Sequence, residues 1–374
     1  MKIWFIVLSI FLQFGIVRGD DDIKIGVVLP LTGRTSNFGT EALKGINLGI
    51  ENANAAGGVR NILLKLIVND NAGDPAVTSR VVSEMIKEQQ ALAIIGPITS
   101  ANSAAAAAVA QQANTPLILP AATNPYVTEI GEYICRICFT DPLQSKALAE
   151  FTRKHLNSDR VAVVYEKGSP YSENLAQYYA MRLEDMGGRV IFTGGFENNG
   201  ENLFELVDEA LRQEPDLLFA PVYYPEAAAI INRIAELHSP VTLLGGDGWE
   251  SPELFRLSGS NIKPGKVFIS SHFSLQYSRE TGSSFVGDFQ RTYGNLPNAV
   301  SALGYDAVGV LVDALRRATV LDKRGLQQAL VTTTNFNGVT GKITINEKRN
   351  VAKEVYILKA LGGEFVLETS ISIF

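Results

Sequence analysis

Cysteine and histidine are scarce in this chain of 374 residues, which has two cysteines and three histidines. His155, His238 and His272 lie far apart without metal-ligand spacing, so the sequence predicts no metal site. Cys135 and Cys138 have a Cys-x-x-Cys spacing, which leaves a redox or metal site as the alternative. Their surroundings favour an extended strand, where residues three apart lie ~10 Å apart, too far for a disulfide. We therefore predict two buried free thiols.

Catalytic motifs are also missing from the sequence. There is no Gly-x-Ser-x-Gly elbow, no phosphate loop ending in Gly-Lys-Ser/Thr, no His-Glu-x-x-His and no Gly-x-Gly-x-x-Gly after the first strand. An enzyme is therefore the weaker class, and no cofactor is predicted. The 39 acidic residues outnumber the 33 basic ones and are spread along the chain, so nucleic acid is a poor partner.

Long hydrophobic runs are absent except near the first residue. An apolar run from Ile3 to Val17 follows Lys2 and is shorter than the ~20 residues that a membrane-spanning helix needs. Small residues around Arg18 then match the pattern that a signal peptidase cleaves. We predict a cleaved export signal at residues 1–19, with an uncleaved anchor as the alternative.

Short apolar strands alternate with helical segments along the rest of the chain. The pattern predicts an α/β fold with two Rossmann-like parallel-sheet lobes. Two lobes are expected because about 355 residues follow the export signal, more than a single hydrophobic core usually accommodates. The series restarts after Asp141, and a mostly helical block at 285–330 completes one lobe or both. The predicted strands are 23–29, 62–68, 92–95, 117–119, 161–165, 190–193, 217–220, 243–244 and 267–269, with extended stretches at 341–345 and 354–358.

Small hydroxyl residues follow two of these strands. Ser100 ends the segment Ile-Gly-Pro-Ile-Thr-Ser, and Thr123 lies within Pro-Ala-Ala-Thr-Asn-Pro at 120–125. A helix start offers unpaired N–H groups and the positive end of its dipole, so two adjacent helix starts would form a seat for a small carboxylate. The alternative is that Ser100, Thr123 and Asn124 only cap helices.

The order of several motifs resembles the Leu/Ile/Val-binding group of type I periplasmic binding proteins, which are exported components of ABC importers. The resemblance covers nearly the whole chain after the export signal. The matching motifs are IGVVLPLTG at 25–33, FG at 38–39, GI at 45–46, NAAGGV at 54–59, DNAGDP at 70–75, IGP at 95–97, ATNP at 122–125, YYPE at 223–226 and GYDA at 304–307.

The resemblance implies a Venus-flytrap architecture, in which two lobes joined by a hinge close over the ligand. We assign residues 20–141 with 270–352 to the N-terminal lobe and residues 142–269 with 353–374 to the C-terminal lobe. An amino acid, branched-chain or a related hydrophobic or aromatic one, is the implied ligand, and the membrane permease of an ABC transporter is the implied partner. The protein is then expected to be a periplasmic monomer.

The resemblance also assigns roles to residues of the first lobe. In the family, the serine at the position of Ser100 and the backbone around Ala122 and Thr123 hold the ligand α-carboxylate. The carbonyl of Ala121 and the hydroxyl of Thr123 receive the α-ammonium. Phe38 stands where a tyrosine or tryptophan is frequent, which removes a hydroxyl from the side-chain pocket.

From the other lobe, Tyr171 matches a tyrosine that meets the ligand, and Tyr223 matches an aromatic wall. Asp247 is the candidate ammonium counter-ion, although better-known branched-chain binders carry the longer glutamate there. The alternatives are a helix-start aromatic at Tyr171, a core residue at Tyr223 and a turn residue at Asp247. Further candidates for the pocket wall are Trp249, Phe273 and Tyr305.

These departures leave amino-acid recognition in place but put leucine, isoleucine or valine specifically in question. A zwitterion carries an anion and a cation ~3 to 4 Å apart, so its site needs donors and an acid side by side. The alternative function is an amide/urea-type or aromatic-acid binding protein or sensor of the same fold. A neutral amide would not need the Asp247 counter-ion.

Overall fold

A computed structural model describes residues 22–197, 200–280 and 284–372, except for the side chains of residues 279 and 280. The export signal predicted at residues 1–19 lies outside these ranges and stays a prediction. Within the described ranges, no helix is long and apolar enough to cross a membrane.

Strands and helices alternate along most of the described chain. The strands are β1 Ile23–Leu29, β2 Leu64–Asp70, β3 Ala93–Ile95, β4 Leu117–Leu119, β5 Ile134–Arg136, β6 Arg160–Glu166, β7 Arg189–Phe196, β8 Leu217–Ala220, β9 Thr242–Gly245, β10 Val267–Ser271, β11 Phe336–Gly338, β12 Gly341–Ile343, β13 Val355–Leu361 and β14 Glu364–Ile371. The α-helices are α1 Ser36–Ala55, α2 Pro75–Lys87, α3 Ser100–Gln112, α4 Tyr126–Glu129, α5 Asp141–Lys154, α6 Pro170–Asp185, α7 Leu203–Arg212, α8 Tyr224–Glu236, α9 Pro252–Ser258, α10 Leu275–Glu280, α11 Phe285–Tyr293, α12 Ala299–Arg317 and α13 Lys323–Val331.

The first sheet contains five parallel strands in the order β2-β1-β3-β4-β5. β1 is apolar and buried along almost its whole length, as expected for a strand covered by helices on both faces. Because β3 and β4 are parallel neighbours, the loops that follow Ile95 and Leu119 leave the same edge of the sheet. That edge therefore brings together the two loops that carry Ser100 and Thr123. Cys135 of β5 and Cys138 are both buried, as predicted.

The second sheet has the order β14-β13-β10-β9-β8-β6-β7. The five strands from β6 to β10 are parallel, which confirms the second parallel-sheet lobe, whereas β13 and β14 are antiparallel additions at one edge. The sequence analysis did not predict β14. Most of its side chains are half-buried or exposed, and polar residues interrupt it, so it lacks the continuous buried apolar run of the central strands.

The helical block near the C-terminus completes the first lobe, because α12 packs along α1. The two helices approach closely at glycines. A methyl group at Gly45 would overlap the carbonyl oxygen of Ser301, and one at Gly304 would lie 2.6 Å from the carbonyl oxygen of Ala42. The chain passes between the two large sheets after β5 and again between β12 and β13.

Candidate functional site

Ser100 begins α3 directly after the loop that leaves β3. The side chain of its neighbour Thr99, the N-cap residue, makes no cap hydrogen bond. Ser100 is only 2% exposed, and its Oγ accepts a hydrogen bond from the backbone N of Asn124 at 3.4 Å. The Ser100 hydroxyl thus connects the loops that follow β3 and β4.

Thr123 lies in the loop after β4 and is buried. Its Oγ1 makes no hydrogen bond of good geometry within the described part of the chain. The next residue, Asn124, accepts at its Oδ1 a hydrogen bond from the backbone N of Tyr126, the first residue of α4, at 3.0 Å, while the N-cap position belongs to Pro125. Since α4 has only four residues, its dipole is small, and the predicted pair of helix dipoles is reduced to that of α3.

Asp247 stands on a 3-10 turn after β9, on the second-lobe side. Its Oδ1 accepts hydrogen bonds from Nε2 of Gln144 at 2.8 Å and from Oη of Tyr171 at 3.1 Å. Nε2 of His272 lies 3.2 Å from Oδ2. The Tyr171 hydroxyl also accepts a hydrogen bond from the backbone N of Gly248 at 3.1 Å. These contacts fix the orientation of the carboxylate, so Asp247 does more than shape a turn.

Three of the predicted aromatic residues form a continuous wall. Tyr171 and Tyr223 stack with ring centroids 5.0 Å apart and an interplanar angle of 15°. Phe38 of α1 meets the Tyr223 ring edge-on at 6.0 Å and 69°. Because Phe38 belongs to the first lobe and the two tyrosines to the second, this wall crosses the gap between the lobes.

These side chains enclose one small cavity between the lobes, here called the interlobe cavity. Seven of the eight predicted site residues line it. The lining residues are Phe38, Ile98, Ser100, Ala121, Thr123, Tyr171, Tyr223, Asp247, Gly248 and Val300. The cavity therefore has hydroxyls from the first lobe, a carboxylate from the second and an apolar wall from both.

Ala122 is the predicted site residue that does not line the interlobe cavity. Its carbonyl oxygen accepts hydrogen bonds from Nη1 of Arg136 at 2.5 Å and from Sγ of Cys138 at 3.2 Å. Arg136 Nη2 also bonds the carbonyl of Asn124 at 2.7 Å. The buried Arg136 therefore holds the shape of the loop that carries Thr123. No sequence signal identified it, because it lies between the two cysteines in an apolar strand.

The three additional wall candidates do not line the interlobe cavity either. Trp249 is fully buried, and its Nε1 donates to the carbonyl of Ala220 at 2.8 Å. Tyr305 accepts a hydrogen bond from Asn52 on α1. Phe273 lines a different pocket, described below. All three are bulky aromatic residues that the fold uses for packing.

Ile98, Gly248 and Val300 line the interlobe cavity but were not predicted as site residues. Ile98 and Gly248 are chain neighbours of predicted site residues, in the segments 95–100 and 245–249, so the motifs themselves could have indicated them. Val300 is the second residue of α12 and lies more than 200 positions after Ile98. Only the packing of α12 on α1 brings it there.

A second buried carboxyl lies behind the cavity. Asp141, the first residue of α5, is fully buried, and its side-chain oxygens make no hydrogen bond of good geometry with described residues. Burial raises the pKa of Asp141 to about 8, the neighbouring Asp247 raises it too, and the nearby Thr123 hydroxyl and Arg136 oppose the shift. Asp141 is therefore largely protonated at neutral pH.

His272 contacts Asp247 through a neutral imidazole ring. Burial lowers the pKa of His272, and the hydrogen bond and charge of Asp247 only partly oppose this shift. Its ring stacks on Phe139 with centroids 3.6 Å apart. No group of three His, Cys, Asp or Glu side chains suited to a metal ion occurs in the described ranges. The arrangement can bind a small polar ligand.

Two parallel-sheet lobes with a polar cavity between them define a two-lobe binding protein of the α/β class. Residues 22–364 match the family model described as periplasmic binding protein. The chain therefore belongs to the periplasmic binding protein family.

Similar proteins are found among curated sequences and solved structures. The chain is 24% identical over 343 residues to the Leu/Ile/Val-binding protein BraC3 of Rhizobium johnstonii, covering 90% of this chain and 91% of that one. The leucine binding protein LivK of Thermotoga maritima superposes with a TM-score of 0.86 at 30% identity, covering 94% and 99%. LivJ of Streptococcus pneumoniae, solved in complex with isoleucine, gives a TM-score of 0.86 at 25% identity, covering 93% and 98%.

Proposed function

We propose that this protein is the periplasmic solute-binding receptor of an ABC importer, which captures an amino acid in the interlobe cavity and delivers it to a membrane permease. The observation that carries the proposal is the placement of Ser100 and Thr123 opposite Asp247 across one small cavity. The names of the relatives, which include leucine binding and Leu/Ile/Val-binding proteins, support the same ligand class.

The polar groups of the cavity match the two charges of a zwitterion. The Ser100 hydroxyl and the backbone around Thr123 receive the α-carboxylate, while the Ala121 carbonyl, the Thr123 hydroxyl and Asp247 receive the α-ammonium. The Thr123 hydroxyl supports this assignment, because it lines the cavity and its contact with Asp141 lacks good hydrogen-bond geometry, so a ligand can supply a better partner. Each charge-assisted hydrogen bond contributes about 1.5 to 3 kcal/mol.

The remaining walls select the ligand side chain. Phe38, Ile98, Tyr223 and Val300 present apolar surface to the cavity. They favour a branched-chain or related hydrophobic side chain and disfavour a charged one, whose burial would be uncompensated. Phe38 offers no hydroxyl to such a side chain.

Capture and release need the lobes to move. In this proposal the lobes divide into residues 20–141 with 270–352 and residues 142–269 with 353–374, and the mature monomer follows cleavage after residue 19. A ligand that touches both lobes favours the closed state through its additional contacts. The closed form is then the one that the permease recognises.

Isothermal titration calorimetry of the mature protein against the twenty amino acids tests the proposal. We expect micromolar binding of one or more hydrophobic amino acids and a 10- to 150-fold loss in the variant Asp247→Ala, which corresponds to about 1.5 to 3 kcal/mol. Asp208→Ala is the control, since it removes a carboxylate of the same lobe that pairs with Arg233 at the surface. Full binding of a neutral amide or an aromatic acid by Asp247→Ala would support the alternative ligand class instead.

A further inference from the structure

A second and larger pocket lies beside the interlobe cavity and shares no lining residue with it. We call it the flank pocket, and its volume is about 630 Å³. It is formed by α1 and the loop 295–298 of the first lobe, by α9 and the β13–β14 hairpin of the second, and by residues 273–276, which follow β10. Small-molecule sites typically occupy ~300 to 1,000 Å³, so the flank pocket has the size of a ligand site.

Most of the flank pocket is apolar. Aromatic and aliphatic side chains come from every element around it except α1, which contributes only Glu41. These residues are Pro252, Phe255, Phe273, Leu275, Leu296, Pro297, Leu358, Phe365, Val366 and Leu367. Phe255 and Phe365 pack edge-on with ring centroids 4.8 Å apart, so one wall of the pocket consists of two aromatic rings in contact. Such a surface favours a ligand with a hydrocarbon or aromatic body.

The charged side chains that line the flank pocket are all acidic. They are Glu41, Glu250 and Glu364, and neither lysine nor arginine lines the pocket. Glu41 and Glu250 are only 4% and 6% exposed. In the described part of the chain, Oε2 of each makes no hydrogen bond of good geometry, although the Ser271 hydroxyl lies close enough to Glu250 to lower its pKa. A buried carboxylate oxygen without a donor is costly, so this pair points to a missing donor.

The two carboxylates differ in their partners. Oε1 of Glu41 lies 2.6 Å from Nζ of Lys44, which supplies a compensating charge. Oε1 of Glu250 accepts a hydrogen bond from the backbone N of Ala299 at 2.8 Å, a neutral donor. Burial raises the pKa of Glu250 to about 7, opposed by Ser271 and by the Ala299 N–H, while Asp247 raises it further. Glu250 is therefore the carboxylate that gains most from a positively charged ligand.

We propose that the flank pocket binds an organic cation with an apolar body, whose ammonium group pairs with Glu250 while its body packs against Phe273 and Phe365. Charge complementarity selects the cation, since Lys44 compensates only Glu41 and an anion of the same shape would meet the uncompensated carboxylate of Glu250. The site is separate from the interlobe cavity, because the two share no lining residue. The proposal does not depend on the identity of the amino acid ligand.

Three probes of one shape test the proposal by calorimetry on the mature protein: 4-phenylbutylammonium, 4-phenylbutanoate and 4-phenylbutan-1-ol. We expect the ammonium to bind with one-to-one stoichiometry and at least tenfold more tightly than the carboxylate or the alcohol. Glu250→Gln should lower the ammonium affinity at least tenfold and leave the affinity of the alcohol unchanged, because a glutamine oxygen can still accept from Ala299. Glu253→Gln is the matched control, since that acid lies on α9, does not line the pocket and should bind like the wild type.

A second variant keeps the test decisive if Glu250→Gln unfolds. Leu296→Gln places a polar group on a half-buried wall of the flank pocket and should weaken the binding of all three probes. Equal affinities of the three probes, or no binding of the ammonium, would overturn the proposal. Competitive displacement of the ammonium by a hydrophobic amino acid would overturn it as well, because both would then occupy the interlobe cavity. Failure of amino-acid binding alone would affect only the proposed receptor function.

Discussion

Nη1 of Arg34 lies 2.6 Å from Oε1 of Glu226, and the two residues belong to different lobes. Nη2 of the same guanidinium lies 3.2 Å from Oε1 of Glu166 at the end of β6. The loop after β1 is thus paired with two nearly buried carboxylates of the second lobe. Tyr224 adds a hydrogen bond from its hydroxyl to the Arg34 carbonyl at 2.9 Å. This cluster holds the lobes together beside the interlobe cavity.

Replacing Arg34 by methionine should weaken closure, because Glu166 and Glu226 would stay near each other without a positive partner. We expect the free energy that favours the closed state to fall by about 1 to 3 kcal/mol. This is less than the ~3 to 5 kcal/mol lost when a fully buried ion pair is broken, because the Arg34 side chain is 38% exposed. Small-angle scattering should show a larger radius of gyration. The control is Arg80→Met, which breaks a pair with Glu84 inside α2 and leaves the radius unchanged. Equal radii for Arg34→Met and wild type would contradict the prediction.

The Tyr171 hydroxyl, which connects Asp247 to Gly248, can be removed without disturbing the aromatic stack. Tyr171→Phe should weaken amino-acid binding by about 0.5 to 1.5 kcal/mol, or roughly 2- to 13-fold, because Asp247 loses one of its donors. Tyr179→Phe is the matched control on the same helix. It loses a hydrogen bond to Thr152 in the core and should lower stability without changing affinity in calorimetry. Equal affinity losses in the two variants would argue against a role for the Tyr171 hydroxyl.

Gly246 allows Tyr171 to approach Asp247. Its φ of −82° is accessible to alanine, but a methyl group there would overlap the Tyr171 hydroxyl and lie 2.8 Å from Oε1 of Gln144. We expect Gly246→Ala to cost about 1 to 3 kcal/mol of unfolding free energy and to weaken binding more than Tyr171→Phe. Gly287→Ala on α11 meets open space and should be neutral or stabilising by about 0.5 to 1 kcal/mol. Chemical denaturation measures the stability of the two variants, and calorimetry measures their affinity for the amino acid. An unchanged affinity in Gly246→Ala would show that the added methyl group does not displace the Tyr171 hydroxyl.

Part of the site could be predicted because it depends on local sequence. Ser100 and Thr123 each follow an apolar strand, and parallel neighbours place the loops after such strands at one edge of a sheet. Tyr171, Tyr223 and Asp247 came from the resemblance to a family, since nothing in their local patterns distinguishes a binding residue from a core or turn residue. Their convergence on one cavity supports that assignment.

The rest depends on contacts between distant segments. Gln144 and His272 reach Asp247 from positions 103 and 25 residues away, and no periodicity reports such a meeting. The two parallel-sheet lobes could be predicted, because short apolar strands alternate with helical segments along the chain. The edge strand β14 could not be predicted in this way, because its mixture of polar and half-buried residues resembles a surface segment.

Asp141 predicts a pH dependence of stability that one substitution can isolate. An unfolded aspartate has a pKa near ~3.9, whereas burial raises the pKa of folded Asp141 to about 8. Between these values the folded state holds a proton that the unfolded state has lost, so the contribution of Asp141 to the unfolding free energy is largest below pH ~4 and declines as the pH rises to about 8. Asp141→Asn should remove this decline, because the amide does not titrate.

Urea denaturation between pH 5 and 9 gives the unfolding free energy as a function of pH for wild type and for Asp141→Asn. The effect of Asp141 is the difference between the slopes of these two curves. Glu226 and Glu250, whose pKa values burial raises to about 7, contribute equally to wild type and variant and cancel in that difference. Asp185→Asn is the control, since this exposed carboxyl pairs with Arg182 at the surface and its removal leaves the buried carboxyl in place. A wild-type curve that runs parallel to that of Asp141→Asn would show that Asp141 is ionised in the folded protein. In that case a second negative charge would stand behind Asp247, and the cavity would attract cations more strongly than the proposed zwitterion requires.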